Sequence, residues 1–291
     1  MTPELHDRLL AGLTDGSIVP YLGPGVLADV TDASTGASIP ADSDSLILAM
    51  NGGKPMAARL MYEFPRAAMN VELKRGRNAV SKFLSRTYGE TVWTRAAVHD
   101  WLREIGPRYV VDINRDTQLQ DSYAERAHNL IVGMARLGGS DFRYRLYAWD
   151  GTAYQKCRAI DPALPILFKP MGTPKPEPTY VASDADYVDY ITELMGGFAI
   201  PPAVKKLRRG KQYLLMGLRL NRDTERMVMS DIIYAAAQPA GWVLIAKPTD
   251  KERRFCAKLG LVLVECDVFA AFDVLALTAS GRLPQPLAAP A

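Results

Sequence analysis

Cysteine is scarce in this chain. Among 291 residues only Cys157, Cys256 and Cys266 carry a thiol, and none of them stands in a CxxC pair. An odd, scattered trio builds no disulfide framework and falls short of the four ligands of a structural zinc ribbon. A reduced, cytoplasmic setting and no zinc are the expectation. Long apolar runs are missing as well: nowhere do about 18 apolar residues follow one another, so no membrane span is expected. Nor is there an excess of charge of one sign, since the formal net charge is only +3. The basic runs Lys74-Arg75-Gly76-Arg77 and Lys205-Lys206-Leu207-Arg208-Arg209 therefore read as solvated faces, and nucleic acid is not an expected partner. The opening Met1-Thr2-Pro3-Glu4-Leu5-His6-Asp7 is polar and helix-starting, unlike a secretory leader. No repeat and no heptad is visible, which leaves a homo-oligomer or a protein partner open.

What is present is core material. Hydrophobic residues make up 48% of the chain, enough for one large domain or a domain with an inserted lobe. Leu5, Leu9, Leu10 and Leu13 share a helical face over residues 3–16, with Gly16 placed to end it. Ile18 to Leu22 reads as a buried strand running into Gly-Pro-Gly. Residues 29–55, rich in Asp, Ser, Gly and Ala, read as a long loop with one short helix near Ser45 to Met50. Residues 56–105 are helical in pattern, the last helix at about Thr94 to Glu104. Strands are expected at Tyr109 to Ile113 and Pro165 to Lys169. The alternation of Phe142, Tyr144, Leu146 and Ala148 gives another, with a hairpin turn at Asp150-Gly151.

Further on, Ser183-Asp184-Ala185-Asp186 starts a helix closed by Gly196-Gly197. Short apolar strands at 213–216, 242–245 and 261–264 then alternate with helices near Thr224 to Ala237 and Asp250 to Leu259. That order predicts an α/β fold: a Rossmann-like parallel sheet flanked by helices. A smaller helical lobe, about residues 29–105, is inserted into this core. The domain is expected to span residues 1–282, with 283–291 an unstructured tail.

Three segments carry the chemistry. Gly23-Pro24-Gly25-Val26 follows a strand, where a parallel sheet binds a pyrophosphate and glycine lets the backbone approach closely. Pro24, however, removes one N–H donor. Asp112-Ile113-Asn114-Arg115-Asp116 ends a second strand, and its amide and carboxylates pair donors with acceptors around a polar ligand. Capping of the next helix by Asn114 or Asp116 fits those residues equally. Lys169-Pro170-Met171-Gly172 ends a third strand. In order and spacing these segments resemble the SIR2-like family, which binds NAD and in many members cleaves its nicotinamide bond. Tyr180 to Tyr190 is similar to that family's Thr-x-x-Asp-Tyr helix start. Leu214-Leu215-Met216-Gly217-Leu218-Arg219 resembles its strand–Gly–x–Ser segment, with Arg219 in place of the Ser.

The resemblance implies that Gly23, Pro24, Gly25, Val26, Met171, Gly172, Gly217 and Arg219 border NAD, NADH or ADP-ribose. It also implies that Asn114 orders water or ribose at the scissile bond and that Asp116 meets the nicotinamide carboxamide. Met171 stands where the family carries its general-base histidine, and a thioether accepts no proton. His6 and His128 read as ordinary surface or helix positions. His99 reads as a residue packing or capping on the helix before the second strand. Framework residues persist while those touching reacting atoms differ, at Leu27, Asp112, Met171 and Arg219. The first expectation is a dinucleotide-binding protein without efficient turnover, acting as sensor, regulator or assembly partner. The alternative is an NAD glycohydrolase in which Asp112 and Asp116 stabilise an oxocarbenium-like state. A protein deacetylase would need the histidine and a four-cysteine zinc module.

Overall fold

A computed structural model describes residues 1–136 and 142–275; the expected 283–291 tail lies outside them. The chain opens with α1 (Pro3–Asp15), capped by the Thr2 hydroxyl and ended by Gly16 in the left-handed region. The fully buried β1 (Ile18–Leu22) follows, running into a 3-10 turn at Pro24–Leu27. Before the next strand come α2 (Ser43–Met50), α3 (Phe64–Arg75), α4 (Arg77–Ser85), a π turn (Arg86–Glu90) and α5 (Ala97–Ile105). Next are β2 (Tyr109–Asp112), α6 (Gln118–Ser122), β3 (His128–Gly133), β4 (Tyr144–Trp149), β5 (Tyr154–Cys157) and β6 (Ile166–Lys169). A small antiparallel pair, β7 (Gly172–Thr173) and β8 (Thr179–Tyr180), leads into α7 (Asp184–Gly196) and α8 (Pro202–Leu207). The described chain closes with β9 (Gln212–Met216), α9 (Asp223–Ile232), β10 (Gly241–Leu244), α10 (Asp250–Lys258), β11 (Leu261–Val264) and α11 (Val268–Ala271).

One nine-stranded sheet runs in the order β11-β10-β9-β1-β2-β6-β3-β4-β5. It is parallel from β11 through β3, and β4 and β5 add an antiparallel hairpin at one edge. Alternate residues of the central strands feed two separate cores. Val110 and Leu214 join Leu9, Trp101 and Trp242 on one face, while Val111 and Leu215 join Tyr21, Phe168 and Tyr190 on the other. Burial on both faces is what makes the strands read as continuous apolar runs. The fold is the expected Rossmann-like α/β arrangement. Because β1 lies between β2 and β9, the chain leaves it toward one side of the sheet and later builds the other side from β9. The turns after β1 and β9 therefore flank the switch point where ligands of such sheets bind.

Two sequence expectations change. His128, read as a surface or helix position, lies fully buried on β3, a strand that was not anticipated. Its ring nitrogens meet the Arg126 carbonyl and the Tyr154 hydroxyl, each at 2.8 Å, and Trp149 stacks against it. Burial lowers its pKa. The basic runs are also not simply solvated. Arg208 donates to the Asp231 and Ile232 carbonyls at the end of α9, at 2.8 and 2.9 Å, and Arg77 pairs with Asp186. Each arginine satisfies groups that a helix terminus or a buried carboxylate leaves open.

Candidate functional site

The ends of β1 and β9 interlock. Gly23 N–H donates to the Met216 carbonyl at 2.9 Å, and Gly25 N–H to the Gly217 carbonyl at 2.8 Å. Gly217 has φ +68, and a Cβ there would sit 2.4 Å from the Val26 nitrogen, so only glycine fits. The N–H groups of Gly23 and Gly25 are thus spent inside the fold, and Pro24 has none to offer. The turn lines the cleft with backbone at Pro24 and Gly25 while the N–H groups of Gly23 and Gly25 are bonded within the fold.

Above these turns opens a cleft of about 1040 Å³. Its floor is Pro24, Gly25 and Gly217, its far end Lys247 and Asp267, and one wall comes from the 38–49 stretch that includes α2. Arg219 lines this cleft, yet its guanidinium reaches Glu252 at 3.0 and 3.1 Å. Glu252 in turn holds the Thr249 N–H and hydroxyl at the start of α10. Lys247 is exposed and has no ion pair among the described residues.

A recess of about 40 Å³ lies deeper, lined among others by Glu63, Phe64, Tyr88, Asn114, Arg115, Met171 and Glu225. Pro24, Ala41, Ser43, Arg222 and Glu225 line both spaces and mark their junction. The recess as it stands admits water rather than an aromatic ring. Asn114 is 4% exposed; its Nδ2 donates to the Gly23 carbonyl at 3.1 Å and to Asp112 at 2.8 Å. Its Oδ1 is buried without a hydrogen-bond partner, as is Asp116 Oδ2. The other oxygen of Asp116 accepts the Gln118 N–H at 2.7 Å in a turn just ahead of α6, whose N-cap position is Thr117. Asp116 is not among the residues lining the recess.

Asp112 faces inward. It is 0% exposed, as are its partners Lys169, at 2.7 Å, and His99, at 3.4 Å. Its second oxygen accepts both the backbone and the side-chain N–H of Asn114. Burial by itself would raise the Asp112 pKa, but the charge of Lys169 and the hydrogen bonds from His99 and Lys169 outweigh it. The carboxyl is held well below the usual range. His99 is thus packed on α5 against the end of the central strand β2 and does not line the recess. Met171, 2% exposed, fills the recess wall. Gly172, at φ +88, has no room for a Cβ, which would lie 2.0 Å from the Thr179 carbonyl oxygen.

Sequence reasoning missed Glu63, Arg115, Tyr187 and Glu225. Arg115 donates to the Val181 carbonyl at 3.0 and 2.7 Å and to the Tyr187 hydroxyl at 3.1 Å, over the ring of Phe64. Glu63 Oε1 accepts the Asp223 N–H at 2.8 Å and the Thr224 N–H at 3.4 Å, capping α9. Burial first, then the charge of Glu63, pushes the Glu225 carboxyl up to about 7 against the pull of Arg222 and Arg115. No group of three or more His, Cys, Asp and Glu side chains among the described residues is placed to hold a metal ion, and no described helix is long and apolar enough to cross a membrane.

A largely parallel sheet flanked by helices, with its cleft at the switch point, defines the Rossmann-like class of α/β folds. The profile of the SIR2-like domain matches residues 108–264, more than half of the chain. The chain belongs to the SIR2-like family, whose general association is with NAD-type ligands. No curated protein matches it.

Proposed function

We propose that the protein binds an NAD-type dinucleotide, whether NAD, NADH or ADP-ribose, along the cleft, with the nicotinamide-ribose end at the junction with the recess. The observation that carries this reading is Asn114. Its buried Oδ1 has no partner, although it lines a recess open to a ligand-sized cleft. An acceptor buried in that state costs about 1–3 kcal/mol, which a ribose hydroxyl or a bound water recovers. Proton transfer by the family's histidine is closed, because Met171 occupies that wall. The protein then acts through its bound state, as sensor, regulator or assembly partner. Calorimetric titration tests this: one site is expected for at least one of the three ligands, weakened about tenfold by Asn114→Ala, the loss of one good hydrogen bond. Absence of heat with all three sinks the reading.

A second reading, hydrolysis of the nicotinamide bond by carboxylates, has its own supporting observation. Asp112 is sealed at the end of the central strand β2, but Glu63 and Glu225 line the recess itself.

A further inference from the structure

We propose that Glu225 stands in for the missing histidine, accepting the proton of a water that attacks the ribosyl carbon of a bound NAD, while Glu63 holds it in place. This rests on the dinucleotide reading above. Glu225 occupies the first turn of α9 and is one of five residues that line both cleft and recess. A group at that junction reaches the reacting carbon and the water behind it together. Glu63 fixes this turn by accepting the first N–H groups of α9. Asn114, whose Oδ1 is buried and unpartnered, lines the same recess and gives such a water a second acceptor. The recess, lined by both residues, has the polar groups and the room that a water needs.

Four charged groups act on Glu225 from the packed elements: Glu63 before α3, Asp42 before α2, Arg115 after β2 and Arg222 before α9. The two carboxylates raise its proton affinity and the two arginines lower it, behind the larger effect of burial. The result, about 7, suits a general base at neutral pH.

In the step, the water oxygen bonds to C1′ as the C1′–N bond breaks. Its electron pair returns to the pyridinium ring, which leaves as neutral nicotinamide. The water proton passes to the Glu225 carboxylate and from there to solvent through the cleft. The products are nicotinamide, ADP-ribose and one proton, and no other reactant is needed. NADH, with no cationic leaving group, survives.

The test measures nicotinamide release from NAD between pH 5 and 9, for the native protein and for Glu225→Gln, with calorimetric binding of NAD to both. Native release should rise through a single ionisation near 7. Glu225→Gln should lose about 100-fold or more, keep NAD affinity within about threefold and show a flat residual profile. Glu225→Gln releasing nicotinamide at the native rate overturns the proposal. So does a native protein that binds NAD and releases nothing at any pH, a result that leaves the binding reading intact. Failure to bind any of the three dinucleotides overturns both.

Discussion

Two polar clusters sit on either side of the end of β2, and they are built in opposite ways. At the ends of the central strands β2 and β6, Asp112, Lys169 and the neighbouring His99 are fully buried, and each oxygen of Asp112 has two donors. In the recess, Asn114 Oδ1 has no partner, and Glu63 and Glu225 share one small space. Residue type does not separate the clusters, since both mix carboxylates with cations. What separates them is where an unmet atom lies: the Asp112 carboxylate is fully met and the unpartnered His99 Nδ1 lines neither cleft nor recess, whereas the unpartnered Asn114 Oδ1 belongs to a residue lining the recess. A closed cluster holds geometry, here by gripping the Asn114 backbone and amide. An open one keeps an unspent capacity for something that is not protein.

The sharpest way to break the comparison is to open the closed cluster. Lys169→Met should leave Asp112 buried without its cation and cost about 3–5 kcal/mol of folding stability, read from denaturant unfolding. Adding Asp112→Asn should recover much of that loss, because the double variant strands no charge. The folded-state pKa of Asp112 is depressed, so its contribution is complete above the ordinary carboxylate pKa and disappears as pH falls through the folded value. A Lys169→Met protein with native stability would show that the cluster does not support the site.

Closing the open cluster should do the reverse. The folded-state pKa of Glu225 is raised, to about 7. Its contribution is complete below the unfolded value of about 4.3 and is lost as pH rises through 7. Stability of the unliganded protein should therefore fall between about pH 5 and 8. Glu225→Gln should flatten that slope and gain about 1–2 kcal/mol at pH 8, discounted for the partial exposure of the side chain. Thermal melts across that pH range measure both. A slope that survives the substitution would move the burden to another recess group.

The sheet was legible because burial on both faces writes apolar runs. Tyr213 to Met216 and Ile18 to Leu22 each announce themselves. β3 did not, because it opens on His128 and Asn129, whose polar atoms are satisfied by Tyr154, Asp161 and neighbouring carbonyls that local sequence cannot reveal. α9 was expected to reach Ala237 and stops at Ile232, after which Ala235 turns to φ +66 on the way to Pro239 and β10. The glycine framework was read as ligand-facing. At Gly172 and Gly217 it is explained by crowding of backbone on backbone, which would be needed with or without a ligand. Asn114 was legible from its strand-end position. Glu63 and Glu225 were not, since they lie far apart in the chain and meet only because one caps the helix that carries the other.

The same contrast between spent and unspent groups predicts a smaller effect in the outer cleft. Arg219 and Lys247 both line it, and by sequence Arg219 is the better candidate for a phosphate. Arg219 is 52% exposed but committed, its Nε and Nη2 both on Glu252, which also caps α10. Moving it toward a phosphate would leave that buried carboxylate without its cation. Lys247 has no ion pair among the described residues to give up. Lys247→Ala should therefore weaken dinucleotide binding about two- to fivefold at low salt, the worth of one exposed charge, and the loss should shrink as salt rises. Arg219→Ala should change affinity less and lower stability by up to about 1 kcal/mol through the exposed pair it breaks. Calorimetry at two ionic strengths distinguishes the residues. If Arg219→Ala proves the more damaging to binding, the guanidinium leaves Glu252 when ligand arrives, and a group that looks spent on its ion pair is in fact available.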